Sequence, residues 1–160
     1  TDVGPLINRE AWRKVDRHVR DALDKGAKRL VGETPPHADH DWGAFYPPTL
    51  LAGVTSEMLL SREETFGPVV GVCTFNDEEQ VIHAANDTPY GLAAYVCTTD
   101  DHRAERVTRR LRFGLIGVNT GTGPSPHAPF GGMKQSGFGR EGGVDGLMEF
   151  CDTQTVAIKQ

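Results

Sequence analysis

The feature that most constrains this chain is an alternation of β-rich runs and amphipathic helical stretches between residues 69 and 118. Val69 to Phe75 is a β-rich run. Asn76-Asp77-Glu78-Glu79 then reads as a capping box, with Asn76 as the cap and Glu79 three residues on. Val81, Ile82 and Ala85 supply the buried face of the helix that follows. Gly91 to Cys97 is a second apolar run, and Asp100-Asp101 puts negative charge where a helix N-terminus favours it. Ala104, Val107 and Leu111 form the next apolar stripe, with Arg109, Arg110 and Arg112 near its C-terminal end. Gly114 stops that helix, and Leu115 to Val118 is a third strand. Strand–helix–strand–helix–strand is the order of parallel strands joined by right-handed crossovers. The expected class is α/β, an open and mainly parallel sheet flanked by helices. In such sheets the ligand crevice lies beyond the carboxyl ends of the strands. The Gly- and Pro-rich segment from Asn119 to Lys134 follows the third strand and belongs at that crevice.

Before this alternation, Asn8 can cap a helix whose apolar face is Trp12, Val15, Val19, Ala22 and Leu23, with Gly26 able to end it. A short strand from Arg29 to Val31 follows, and Thr34 to Asp41 reads as a polar surface loop. Phe45 to Val54 contains Pro47-Pro48 and reads as irregular, then extended. After the alternation, Val144 to Phe150 suits a short helix and Thr153 to Ile158 a terminal strand. A strand there could join a sheet of another subunit. The expected division is 1–150 as one α/β portion and 151–160 as a strand for oligomerisation.

The 160 residues carry a net charge of −5, which excludes a broad basic surface for nucleic acid. No apolar run is long enough to cross a bilayer as a helix. Cys73, Cys97 and Cys151 are widely spaced, with no CxxC, which argues against a disulfide framework and a thiolate zinc site. Cys73 and Cys97 fall inside apolar runs and read as buried small hydrophobes. A reducing, cytoplasmic setting is expected.

Three motifs compete for attention. Gly137-Phe138-Gly139-Arg140-Glu141-Gly142 matches G-x-G-x-x-G. A dinucleotide fingerprint needs an apolar strand before it and an acid ~20 residues beyond. Lys134-Gln135-Ser136 precede this one and the chain is too short after it, so it reads as a structural glycine turn. His37, Asp39, His40 and Asp41 could ligate a metal but lie in a polar loop without a further partner, so no metal site is expected. Glu63-Glu64-Thr65-Phe66-Gly67-Pro68 is the most specific segment. A carboxylate on a rigid turn can accept two charge-assisted hydrogen bonds from a vicinal diol such as a ribose. An aromatic two residues later offers a flat apolar wall to a ring.

That segment looks like the E-E-x-F-G-P motif of the aldehyde dehydrogenases. Gly4-Pro5-Leu6-Ile7, Ala85 to Ala93, Val118-Asn119 and Pro129 to Gly137 resemble further motifs of that family, in order and at similar spacing. The resemblance covers essentially the whole chain. It implies that Glu64 binds the nicotinamide-side ribose of NAD or NADP, and that Phe66 contacts the nicotinamide region. It also implies that Asn119, Pro124, Ser125 and Phe130 line the aldehyde tunnel, and that the last strand joins an oligomeric sheet. Asn119-Thr120-Gly121 followed by Ala128 to Gly132 is similar to succinate-semialdehyde dehydrogenases. In those enzymes a serine between the two motifs helps to hold the substrate carboxylate; here Pro124 stands at that place and Ser125 one residue later.

The family's chemistry uses a cysteine thiolate, an oxyanion hole, hydride transfer to NAD(P)+ and a glutamate that activates water. In the family these groups and the dinucleotide domain precede the Gly-Pro-Leu-Ile region, and no cysteine here matches the nucleophile. The expectation is the C-terminal part of the catalytic domain of an aldehyde-oxidising homo-oligomer, with no catalytic residue of its own and inactive alone. The alternatives are a non-catalytic oligomerisation or scaffold module of the same descent, and ester hydrolysis by Cys151.

Overall fold

The computed structural model describes residues 3–33 and 43–159. The loop expected over Thr34 to Asp41, with its His37, Asp39, His40 and Asp41 group, lies outside them. Two compact units divide the chain, Thr1–Asn76 and Asp77–Gln160.

Unit 1 is built on helix α1 (Arg9–Asp24), whose N-cap Asn8 accepts a hydrogen bond from the Ala11 N–H at 2.8 Å. Gly26 follows at φ 95°, the left-handed geometry that ends a helix without a Cβ clash. Strands β1 (Lys28–Val31), β2 (Thr49–Ala52) and β3 (Val69–Val72) make a sheet in the order β1-β2-β3. The first pair is antiparallel and the second parallel. Helix α2 (Leu59–Arg62) sits between β2 and β3 in sequence. The expected apolar stripe packs inward: Trp12, Val15, Val19 and Ala22 are buried with Tyr46, Leu51, Val54 and Met58. The Trp12 indole also donates to the Phe45 carbonyl at 3.0 Å and meets Tyr46 edge-on.

Unit 2 contains α3 (Glu78–Asn86), β4 (Ala93–Val96), α4 (Asp101–Thr108), β5 (Leu115–Val118) and α5 (Gly143–Met148). Strands β4 and β5 pair in parallel, so the β4–α4–β5 crossover forms as expected. The α/β class holds, but the sheet is divided. β3 takes β2 as its neighbour, and β4 and β5 form a two-stranded sheet of their own. Alternation tells that a crossover is needed; it does not tell which edge a strand joins.

Local expectations are corrected at the cap of α3 and at two thiols. The cap of α3 is Asp77, accepting from the Gln80 N–H at 2.8 Å, not Asn76. Both side chains can cap, and a one-residue shift places Glu78 and Glu79 together in the first turn. Cys73 and Cys97 are exposed, because β3 and β4 stop at Val72 and Val96 and leave each thiol just outside its strand. Residues 151–159 carry no regular structure and are exposed. The 153–158 segment is expected to pair with a sheet of another subunit, and an unpaired strand is not stable in water. Among the described residues of unit 2, Ile82 is the only large apolar side chain that is buried.

Helices α3 and α4 are joined by ion pairs. Arg106 donates to both Glu78 oxygens at 2.7 and 2.9 Å, and Arg110 makes the same double contact with Glu79. Hydrogen bonding to these guanidinium groups holds both carboxyls below the ordinary glutamate value of 4.5. A carboxyl lowered in the folded state contributes stability that is present above its unfolded value and is lost as pH falls through its folded value. The parent chain is therefore expected to exceed a Glu78→Gln/Glu79→Gln variant in Tm at neutral pH. The gap should close as pH drops below 4.5, and also in high salt, since these pairs are exposed. Thermal unfolding across pH checks this.

Candidate functional site

The turn that follows α2 is anchored before it begins. The Asp21 carboxylate on α1 accepts from the Leu59 N–H at 2.8 Å and so caps α2 from outside. The Lys25 ammonium pairs with Asp21 at 2.7 Å and also donates to the Glu57 carbonyl at 2.7 Å. Lys25 and the Leu59 N–H together hold the Asp21 carboxyl below its ordinary range. Arg62 returns to the Ser56 carbonyl at 2.6 Å.

From there the chain alternates. Glu63 and Thr65 turn toward α1, where His18 receives both. Its Nε2 lies 3.1 Å from a Glu63 oxygen and its Nδ1 3.1 Å from the Thr65 hydroxyl. His18 is fully buried, and Arg17 reaches the same Glu63 oxygen at 3.4 Å. Gly67 also faces α1: a Cβ there would stand 2.5 Å from Val15 Cγ2. Only glycine lets this backbone approach the helix so closely. Pro68 then accepts from the Thr49 N–H at 2.8 Å and delivers the chain to β3.

The intervening residues face away. Glu64 is exposed and makes no hydrogen bond or ion pair among the described residues. Phe66 is 80% exposed and sits at φ 52°, a left-handed conformation that costs a non-glycine residue roughly 1–2 kcal/mol. Such strain persists only where the flanks are fixed, and here they are fixed on both sides. The result is an unpaired carboxylate beside an outward aromatic ring on a braced turn. That pair suits a ligand with a diol next to a flat ring.

In unit 2, the segments at 85–93 and 129–137 come together. The Met133 N–H donates to the Gly91 carbonyl at 2.9 Å, and Gln135 to Pro89 at 2.9 Å. The Gly91 N–H donates to the Ser136 hydroxyl at 2.9 Å, and Lys134 to the Asn86 and Thr88 carbonyls. Asn119, at φ 52°, spends its carboxamide on Thr98, accepting from its N–H at 2.9 Å and donating to its carbonyl at 2.8 Å. It therefore ties β5 to β4 at their carboxyl ends. Pro124 and Ser125 are exposed, and the Ser125 oxygen accepts from the His127 N–H at 3.4 Å. Phe130 forms a two-bond bridge with Glu141 and lines an open cleft of about 400 Å³ with Leu92, Phe138, Arg140 and Glu149.

The G-x-G-x-x-G segment shows no fingerprint architecture. Gly137, Gly139 and Gly142 all have positive φ, and the Gly143 N–H bonds to the Pro126 carbonyl. These glycines fold the segment back on the 125–130 loop, as the structural reading expects. No grouping of three or more metal-ligating side chains occurs among the described residues. His18 escaped sequence reasoning, although a signal existed: it is a polar residue beside Val15 and Val19 on the buried stripe of α1.

Residues 1–156 match the profile of the aldehyde dehydrogenase family. The chain belongs to that family. A non-phosphorylating aspartate-semialdehyde dehydrogenase of Halomonas elongata is 46% identical over 153 residues, spanning 96% of this chain and 30% of that protein. A probable NADP(+) succinate-semialdehyde dehydrogenase of Sinorhizobium fredii is 43% identical over 156 residues, spanning 98% of this chain and 31% of that protein. Among solved structures, an oxidoreductase from Marinobacter aquaeolei superposes with a TM-score of 0.90 at 57% identity, covering 97% of this chain and 32% of that one. The chain thus spans about a third of the length of these aldehyde dehydrogenase relatives.

Proposed function

We propose that this chain is the C-terminal part of the catalytic domain of an NAD(P)-dependent enzyme that oxidises an aldehyde to a carboxylic acid through a cysteine thioester. The nucleophile lies outside these residues. The observation that carries the reading is the outward pair Glu64 and Phe66 on a turn whose neighbours are all held inward. Glu64 accepts the two hydroxyls of the nicotinamide-side ribose, and Phe66 walls the ring. The dinucleotide, when bound, accepts a hydride. The chain's own contribution is to orient that cofactor and to wall the aldehyde tunnel with Asn119, Pro124, Ser125 and Phe130.

The substrate is a semialdehyde that carries its own carboxylate, such as succinate semialdehyde. The two relatives named above both bear semialdehyde names. Ser125 accepts from His127 through its oxygen, so its hydroxyl proton stays available to a substrate carboxylate. The complete enzyme works as a homo-oligomer in the cytoplasm, in keeping with three free thiols. The apolar residues of the exposed tail, Val156 and Ile158, seat the 153–158 segment as a strand on a partner subunit.

Following reduced-nicotinamide absorbance with a panel of aldehydes tests this. The complete enzyme is expected to turn over carboxylate-bearing semialdehydes, and the 160-residue chain alone to turn over none. Cofactor-dependent oxidation by the isolated chain that survives replacement of Cys73, Cys97 and Cys151 by serine would overturn the proposal.

A further inference from the structure

We infer that His18 is the positioning residue of the cofactor turn: from the buried face of α1 it clamps the residues on either side of Glu64 and so sets where that carboxylate stands. The inference rests on the reading of Glu64 and Phe66 as cofactor contacts. It concerns a side chain that touches neither cofactor nor substrate.

A fully buried imidazole must satisfy its polar atoms within the protein. A buried histidine commonly does so with whatever carbonyl is near. Here both partners come from one three-residue segment, and they bracket the residue in question. A carboxylate only accepts, so the Nε2–H donates to Glu63 at 3.1 Å. In the neutral ring, Nδ1 then accepts the Thr65 hydroxyl proton at 3.1 Å. Glu64 is thereby suspended between two fixed points, and any rotation of its peptide must break one of them.

The clamp also explains the conformation that follows. Phe66 holds its φ of 52° directly after Thr65 and directly before Gly67, which Val15 blocks from gaining a side chain. With Thr65 released, a restraint that opposes relaxation of Phe66 to a negative φ is lost. Relaxation would carry both Phe66 and Glu64 away from their present directions. The ion pair from Arg17 does not replace the clamp, because it is exposed, longer at 3.4 Å and reaches only Glu63.

The test uses the complete enzyme and has two readouts. The first is the NAD(P)+ dissociation constant, measured by equilibrium titration without substrate. His18→Leu keeps the site filled and apolar but removes both hydrogen bonds; Thr65→Val removes one and guards against misfolding of the first. Each is expected to raise the dissociation constant about three- to tenfold, with the Tm staying close enough for the protein to be folded at the assay temperature. His18→Gln can still donate to Glu63 and should recover part of the loss. In a Glu64→Gln background, His18→Leu should add less than it costs in the parent, because part of its effect passes through Glu64. An unchanged dissociation constant in both His18→Leu and Thr65→Val, or a full additional loss in the Glu64→Gln background, would overturn the inference.

The second readout needs no cofactor: cleavage after Glu63 or Glu64 by a glutamyl endopeptidase. His18→Leu is expected to be cut several-fold faster at this turn and at the parent rate elsewhere; equal rates at the turn would overturn the clamp. If Glu64→Gln alone binds cofactor as the parent does, the ribose assignment fails on its own account. The cleavage rates then decide the clamp separately.

Discussion

Glu64→Gln is expected to weaken NAD(P)+ binding by the complete enzyme roughly 10- to 100-fold, because hydrogen bonds to a charged group contribute about 1.5–3 kcal/mol and the carboxamide carries no charge. The fold should hardly register the change. Glu64 is exposed and makes no hydrogen bond or ion pair among the described residues, so Tm should move by less than the loss of affinity suggests. Equilibrium titration beside a thermal melt separates the two effects. Hydride transfer should slow as well, since a ribose held by one fewer charged contact orients its ring less strictly. Parent-like affinity together with parent-like hydride transfer would remove Glu64 from the site.

The opposite profile is expected at Trp12. Trp12→Ala should destabilise the chain by about 3–5 kcal/mol, measured as a shift in the urea midpoint followed by far-ultraviolet circular dichroism. The indole is 4% exposed and fills the centre of the unit 1 core with Tyr46 edge-on. Its removal leaves a cavity and strips the Phe45 carbonyl of its donor. Trp12→Phe keeps a ring in place and loses mainly the hydrogen bond, so its cost should fall near 1–2 kcal/mol. If Trp12→Ala costs no more than Trp12→Phe, the core of unit 1 is not organised around this side chain.

Local patterning was readable wherever a short-range rule decides the outcome. The span and capping of α1 follow from Asn8, the spacing of Trp12, Val15, Val19 and Ala22, and Gly26. The bounds of β5 follow from a glycine and an apolar run. The cap of α3 missed by one residue because Asn76 and Asp77 are both good acceptors and only the folded backbone chooses between them. Strand partnership was not readable: β3 could extend either sheet on its composition, and hydrogen-bond geometry over many residues decides. The thiols of Cys73 and Cys97 came out exposed because each lies one step past the end of its strand. Of the candidate site, Glu64 and Phe66 could be singled out by side-chain chemistry alone. The clamp by His18 could not, since its partners stand about 45 positions away in sequence.

The alternation along residues 63–67 has a consequence for how such a protein can change over time. Glu63, Thr65 and Gly67 answer to the helix behind them, while Glu64 and Phe66 answer only to what lies in front. On the proposed reading, packing behind and ligand in front constrain alternate residues of this stretch. A lineage could exchange the outward pair for a different acid, amide or ring and inherit the same braced backbone unaltered. The inward three have no such latitude, for each change there shifts the platform itself. New ligand preference and preserved architecture can thus arise within one five-residue stretch, because successive residues of this braced turn face opposite ways.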